Sequence, residues 1–90
     1  MRAASLTGQF RRDVKLAGKR GNDMRKFKLV AALLLEGAPL PREFGDHPLK
    51  GEWKDCRDLH ITPDWVLIYR IEGEEVLFER MGTHSDLFGR

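Results

Sequence analysis

The spacing of apolar positions along the chain changes once, near its middle. From Gln9 to Ala17, Phe10, Val14 and Ala17 recur at helical spacing, while Arg11, Arg12, Lys15 and Lys19 take the other faces. Gly18 weakens the end of that helix, and Gly21 lies in the connection after it. Asn22 is the expected N-cap of a second helix, with Asp23 in its first turn; it runs to about Glu36, where Gly37 ends it. Met24, Phe27, Ala31, Leu34 and Leu35 form its broad apolar stripe. The pair reads as an antiparallel basic hairpin whose inner faces need something to pack on. Residues 2–7 carry only a weak strand signal.

The segment Ala38–Gly51 holds three of the four prolines and two glycines, and reads as a long irregular connection of the kind that often carries function. Beyond it the period falls to two. Trp53 to Ile61 reads as a strand with Arg57, Leu59 and Ile61 on one face and Cys56, Asp58 and His60 on the other. A turn at Thr62-Pro63-Asp64 leads into Trp65 to Ile71, which is apolar on both faces and therefore central. After a hairpin turn at Glu72-Gly73-Glu74, the last strand runs from Glu75 to Met81 with Val76, Phe78 and Arg80 on a shared face. Residues 82–90 read as a short, turn-like tail. The expected architecture is one α+β domain over residues 1–90, with the N-terminal helical hairpin on one side of a small antiparallel sheet.

Composition narrows the setting. A chain of 90 residues that is 41% hydrophobic and 33% charged is globular rather than disordered. Its single cysteine cannot close an internal disulfide, which points to a reducing compartment. The longest apolar run, Leu29 to Leu35, is too short to span a bilayer, and the N-terminus lacks the apolar core of a signal peptide. A cytoplasmic protein with no membrane partner is expected. The net charge of +2 hides an asymmetry: residues 1–36 balance at +6 and residues 37–90 at −4. Such a division fits either a polyanion docking on the basic half or an ordinary solvated helix face.

Several familiar sites are excluded, since there is no phosphate-binding glycine loop, no H-E-x-x-H and no Cys-x-x-Cys. A zinc site from His47, His60 and His84 would have to converge from three separate segments, so no metal and no cofactor is expected. Cys56 fits a semi-buried strand residue better than a nucleophile.

The remaining polar groups fall at element boundaries. In a meander, the ends of a strand and of the strand two steps later share one edge, so His60 can meet Arg80 and His84, with Asp64 in the adjoining hairpin. Two imidazoles and a guanidinium are what RNA transesterification requires. One group takes the ribose 2′-OH proton, a second protonates the leaving 5′-oxygen, and the cation stabilises charge on phosphorus. RNA brings its own nucleophile, so no metal is needed. Each residue also has a plainer reading. The histidines fit surface or structural positions, Asp64 fits a turn former, and Arg80 could pair with Glu79 or Asp58. Trp53, Trp65 and Tyr69 fit core or rim positions. Phe88 could cap the sheet or stack on a base.

The strings Asp46-His47-Pro48-Leu49-Lys50-Gly51 with Trp53, Arg57-Asp58-Leu59-His60-Ile61, Pro63-Asp64-Trp65-Val66-Leu67-Ile68-Tyr69 and Phe78 to Phe88 resemble the YafQ-type toxins of the RelE/ParE superfamily. The basic stretch Asp13 to Ala17 with Lys19-Arg20 fits the same group, and departures lie in the first eight residues and the loop at 37–45. The resemblance implies a ribosome-dependent endoribonuclease that cuts mRNA in the A site of the 70S ribosome, with its basic surface on ribosomal RNA. It also implies neutralisation by a cognate antitoxin, and operator DNA binding only through the antitoxin complex. Matched motifs assign His47, His60, Asp64, Arg80 and His84 to catalysis, with Arg80 on the phosphate, His84 as acid, Asp64 or His60 as base and His47 assisting. They assign Lys50, Trp65 and Phe88 to substrate contact. The alternative within the superfamily is a ParE-like toxin that blocks a protein such as DNA gyrase without catalysis; a plain RNA-binding module is a third reading.

Overall fold

The computed structural model describes residues 1–89. A single α+β domain is built on a five-stranded sheet ordered β1-β5-β4-β3-β2, with three helices. The strands are β1 (Ala3–Leu6), β2 (His47–Pro48), β3 (Arg57–Thr62), β4 (Trp65–Glu72) and β5 (Glu75–Gly82), and the helices are α1 (Gly8–Lys19), α2 (Met24–Glu36) and α3 (His84–Phe88). No helix among the described residues is long and apolar enough to cross a membrane.

Local chemistry sets the helix ends. The Thr7 hydroxyl accepts the Phe10 N–H at the start of α1 and donates to the Glu79 carbonyl of β5, so one residue caps the helix and ties it to the sheet. At α2 the N-cap is Asp23, whose carboxylate accepts the Arg25 N–H at 3.0 Å, and not the expected Asn22. Gly37 closes α2 in the left-handed conformation, as expected from its position.

The sheet has a core on each face. Towards α1 and α2, Phe10, Ala17, Val30 and Leu34 join Leu59, Ile61, Leu67, Tyr69, Val76, Phe78 and Met81. On the other face, Val66 and Ile68 pack with Cys56 and Leu87, flanked by Leu49, Trp53 and Phe88. Apolar residues on both faces of β4 therefore serve two separate layers. That is why the strand reads as a continuous hydrophobic run.

Besides the N-cap of α2, the structure corrects the sequence reading at four further points. First, the sheet is mixed: β1 runs parallel to β5, with Ala4 opposite Val76, while all other pairs are antiparallel. Second, β3 begins at Arg57. Gly51–Trp53 is a 3-10 turn, and Asp55 turns the chain at a positive φ of 75°. Third, β5 does not keep Arg80 in phase with Phe78. Tyr69 pairs with Phe78 but Ile68 pairs with Arg80, so β5 carries one extra residue and the alternation slips. Met81, opposite Leu67, inherits the place in the helix-side core. Fourth, the tail contains a helix. Thr83 and Asp86 form a reciprocal capping box at the start of α3, and a left-handed Gly89 ends it.

A candidate acid–base cleft

The register that builds the sheet also assembles a row of polar groups on its second face. His60 pairs with Val66, and Val66 pairs with Gly82, so the C-terminal ends of β3 and β5 lie level. Two residues past Gly82, His84 opens α3. Its ring centroid is 5.1 Å from that of His60, at an interplanar angle of 81°. Asp64, in the turn between β3 and β4, accepts both the His84 backbone N–H at 3.1 Å and a hydrogen bond from His84 Nδ1 at 2.7 Å. The hydrogen bond from His84 holds the Asp64 carboxyl below its ordinary range, and the backbone N–H adds to this. With Nδ1 so engaged, Nε2 is the ring nitrogen left for proton exchange.

The capping box places α3 and hence His84. Asp86 accepts the Thr83 N–H, and Thr83 accepts the Asp86 N–H. Arg20, at the C-terminal end of α1, donates to both Asp86 oxygens at 2.6 and 3.3 Å and drives that carboxyl well below the usual range. One turn along α3, Phe88 stands 6.3 Å from the His84 ring. It packs on the small second-face core and also lines the cleft.

Across the cleft, β2 brings His47 opposite Asp58 of β3. His47 Nδ1 lies 2.8 Å from the Gly45 carbonyl and 2.9 Å from Asp58 Oδ1. Lys50, Glu52, Trp53 and Leu49 complete a cleft of about 580 Å³. A second cleft of about 570 Å³ lies beside the Asp46–Arg57 ion pair and the buried Tyr69, and no histidine lines it. Paired imidazoles make the first cleft the candidate for proton-transfer chemistry. Among the described residues, no group of three or more His, Cys, Asp or Glu is arranged to hold a metal ion.

Two assigned residues stand elsewhere. Trp65 is 3% exposed and belongs to the helix-side core, because it is in phase with Leu67 and Tyr69 on β4 and not with Val66. It does not line the cleft. Arg80 is clamped by Asp13 of α1, which accepts its Nε at 2.9 Å and Nη2 at 3.3 Å, and Arg80 is not a cleft-wall residue either. The suggested pairing of Arg80 with Glu79 or Asp58 is therefore not formed. Sequence reasoning passed over two carboxylates: Asp13, hidden in a basic helix, and Asp58, whose alternation with His60 already put it on the cleft face.

The chain belongs to the family described as the bacterial toxin of type II toxin–antitoxin system, YafQ, which it matches over residues 2–89. It is 49% identical over 89 residues to the mRNA interferase toxin YafQ of Escherichia coli K12, covering 98% of this chain and 97% of that one. The crystal structure of YafQ from E. coli BL21(DE3) superposes with a TM-score of 0.94 at 48% identity, covering 99% of this chain and all of the other. YafQ in the E. coli DinJ–YafQ complex superposes at 0.92 with 49% identity and the same coverage.

Proposed function

We propose that this chain is an mRNA interferase: a ribosome-dependent endoribonuclease of the RelE/ParE superfamily that cuts mRNA in the A site of the 70S ribosome by metal-independent acid–base catalysis. The observation that carries the reading is the His60–His84 pair, with Asp64 behind His84, at the mouth of an open cleft. His60 is the base. It takes the proton of the ribose 2′-OH, whose oxygen attacks the adjacent phosphorus. The bond from phosphorus to the 5′-oxygen breaks, and His84 gives that oxygen a proton. The products are a 2′,3′-cyclic phosphate and a 5′-hydroxyl. Asp64 acts by orienting His84 and stabilising its imidazolium. A carboxylate whose proton affinity is already lowered by two hydrogen bonds is a poor base, which argues against the alternative assignment. Arg80 stands outside the cleft wall with Nε and Nη2 held by Asp13, so its part is limited to Nη1, the nitrogen without an Asp13 contact, meeting phosphate charge that extends beyond the wall. Lys50 lies where RNA phosphate would enter, and Phe88 offers a ring for stacking.

The E. coli relative forms a complex with the protein DinJ, and we assign this chain a cognate antitoxin of its own, with operator DNA bound only through that complex. The exposed cations Arg11, Arg12, Lys15, Lys19, Lys26 and Lys28 form the surface for ribosomal RNA, and the site of action is the cytoplasm. A steric blocker of a protein target has no use for an oriented acid–base pair, which favours catalysis over the gyrase-directed reading. Mapping mRNA 5′ ends after induction tests the proposal. Wild type yields translation-dependent cuts, and His84→Ala yields none while remaining folded. Undiminished cutting by His84→Ala, or upstream fragments ending in 3′-hydroxyl groups, would overturn it.

A further inference from the structure

Asp58 is 3% exposed on the floor of the cleft, and its Oδ1 is fully buried without any hydrogen bond. Its nearest polar neighbour is His47 Nδ1, at 2.9 Å. That ring nitrogen has hydrogen-bond geometry towards the Gly45 carbonyl instead, so the contact with Asp58 is one of charge rather than a shared hydrogen bond. A desolvated carboxylate with no donor is costly to keep ionised unless a cation stands beside it. Other charged and titratable groups around the pair are Lys50 and Glu52 from the loop, His60 on β3, His84 on α3 and Asp46 just before β2. β4 contributes only Ile68 opposite Asp58. Among the described residues no arginine or lysine pairs with Asp58, and His47 is the imidazole within ion-pair distance of it.

We propose that Asp58 is a positioning residue of the cleft: its buried carboxylate, 2.9 Å from His47 Nδ1, holds the His47 ring in place at the cleft wall. This extends the reading of the cleft as an RNA-cleaving site and gives assisting His47 a defined position. Burial pushes the Asp58 carboxyl up, against the opposing charges of His47, His60 and His84. A carboxyl raised by folding adds stability below its ordinary pKa, and that stability is lost as pH rises through the raised value. At neutral pH Asp58 is therefore a burden to the fold, which suits a residue kept for the cleft.

Two measurements test this, and the first does not depend on catalysis. Carboxyl-carbon NMR follows the titration of Asp58 in the whole folded protein, wild type against His47→Gln. Loss of the His47 cation moves the Asp58 titration to higher pH, and an unchanged titration overturns the proposal even if the protein cuts mRNA. The second compares Asp58→Asn, His47→Gln and the double variant in ribosome-dependent cleavage. Asp58→Asn lowers the rate about tenfold at neutral pH. It melts no lower than wild type, and adds nothing once His47 is gone. Effects that multiply in the double variant would refute the link between the two residues. If wild type cuts no RNA at all, the functional reading fails, while the NMR result still decides the pairing.

Discussion

Removing the carboxylate of Asp13 perturbs two elements at once. Asp13 lies on α1 with its side chain 5% exposed, and it accepts hydrogen bonds from Arg80 Nε, Arg80 Nη2, the Met81 backbone N–H at 3.0 Å and Gln9 Nε2. Asp13→Ala strands the Met81 N–H inside the protein, at a cost of about 1–3 kcal/mol. It also leaves the Arg80 guanidinium without its counter-charge. For a fully buried pair that loss is about 3–5 kcal/mol. Arg80 keeps a quarter of its side chain in solvent, so water recovers part of it. The net expectation is a loss of about 3 kcal/mol, which in a domain of this size lowers the melting temperature by roughly 12–24 °C. Replacing both partners, Asp13→Ala with Arg80→Met, leaves no stranded charge and is less destabilising than Asp13→Ala alone. Urea and thermal unfolding of the three proteins measure this. A melting point within about 4 °C of wild type for Asp13→Ala, a difference under about 1 kcal/mol, would refute the clamp. A double variant worse than the single one would refute the argument about stranded charge.

Two further outcomes follow from titrating groups. Because Arg20 holds the folded-state Asp86 carboxyl well below its ordinary value, the stability it contributes is present above that ordinary value and lost as pH falls towards the lowered one. The difference in melting temperature between wild type and Asp86→Asn should be largest at neutral pH and shrink on acidification; a constant difference would show that the ion pair does not stabilise α3. Cys56 is buried beside Val66, Ile68 and Leu87, and burial raises its thiol pKa. Alkylation of the native protein should be much slower than that of a model thiol and should approach it only on unfolding. Rapid native labelling would contradict the second core.

Wherever the determining signal was local, the residues carried it openly. The helical recurrence of Phe10, Val14 and Ala17, the stop at Gly37, the alternation of Leu59 and Ile61 against Asp58 and His60, and the two apolar faces of β4 were all legible. Even α3 left a trace in Thr83 and Asp86, although a five-residue helix has too few apolar positions to show a period. The meeting of His60 and His84 followed from counting strand ends, since strand direction alternates in a meander.

Tertiary structure decided the rest, because each remaining feature depends on a partner far away in the chain. The parallel pairing of β1 with β5 joins segments some seventy residues apart and leaves no periodic mark in either. The extra residue in β5 reverses the phase of Arg80 without altering its composition. Asp13 is one acid in a basic helix until Arg80 and Met81 reach it, and Asp58 is one of several strand carboxylates until β2 and α3 enclose it. Sequence alone set which side chains could carry proton-transfer chemistry. Only the fold determined which are charged, clamped or buried, because desolvation and pairing depend on neighbours that no stretch of chain supplies by itself.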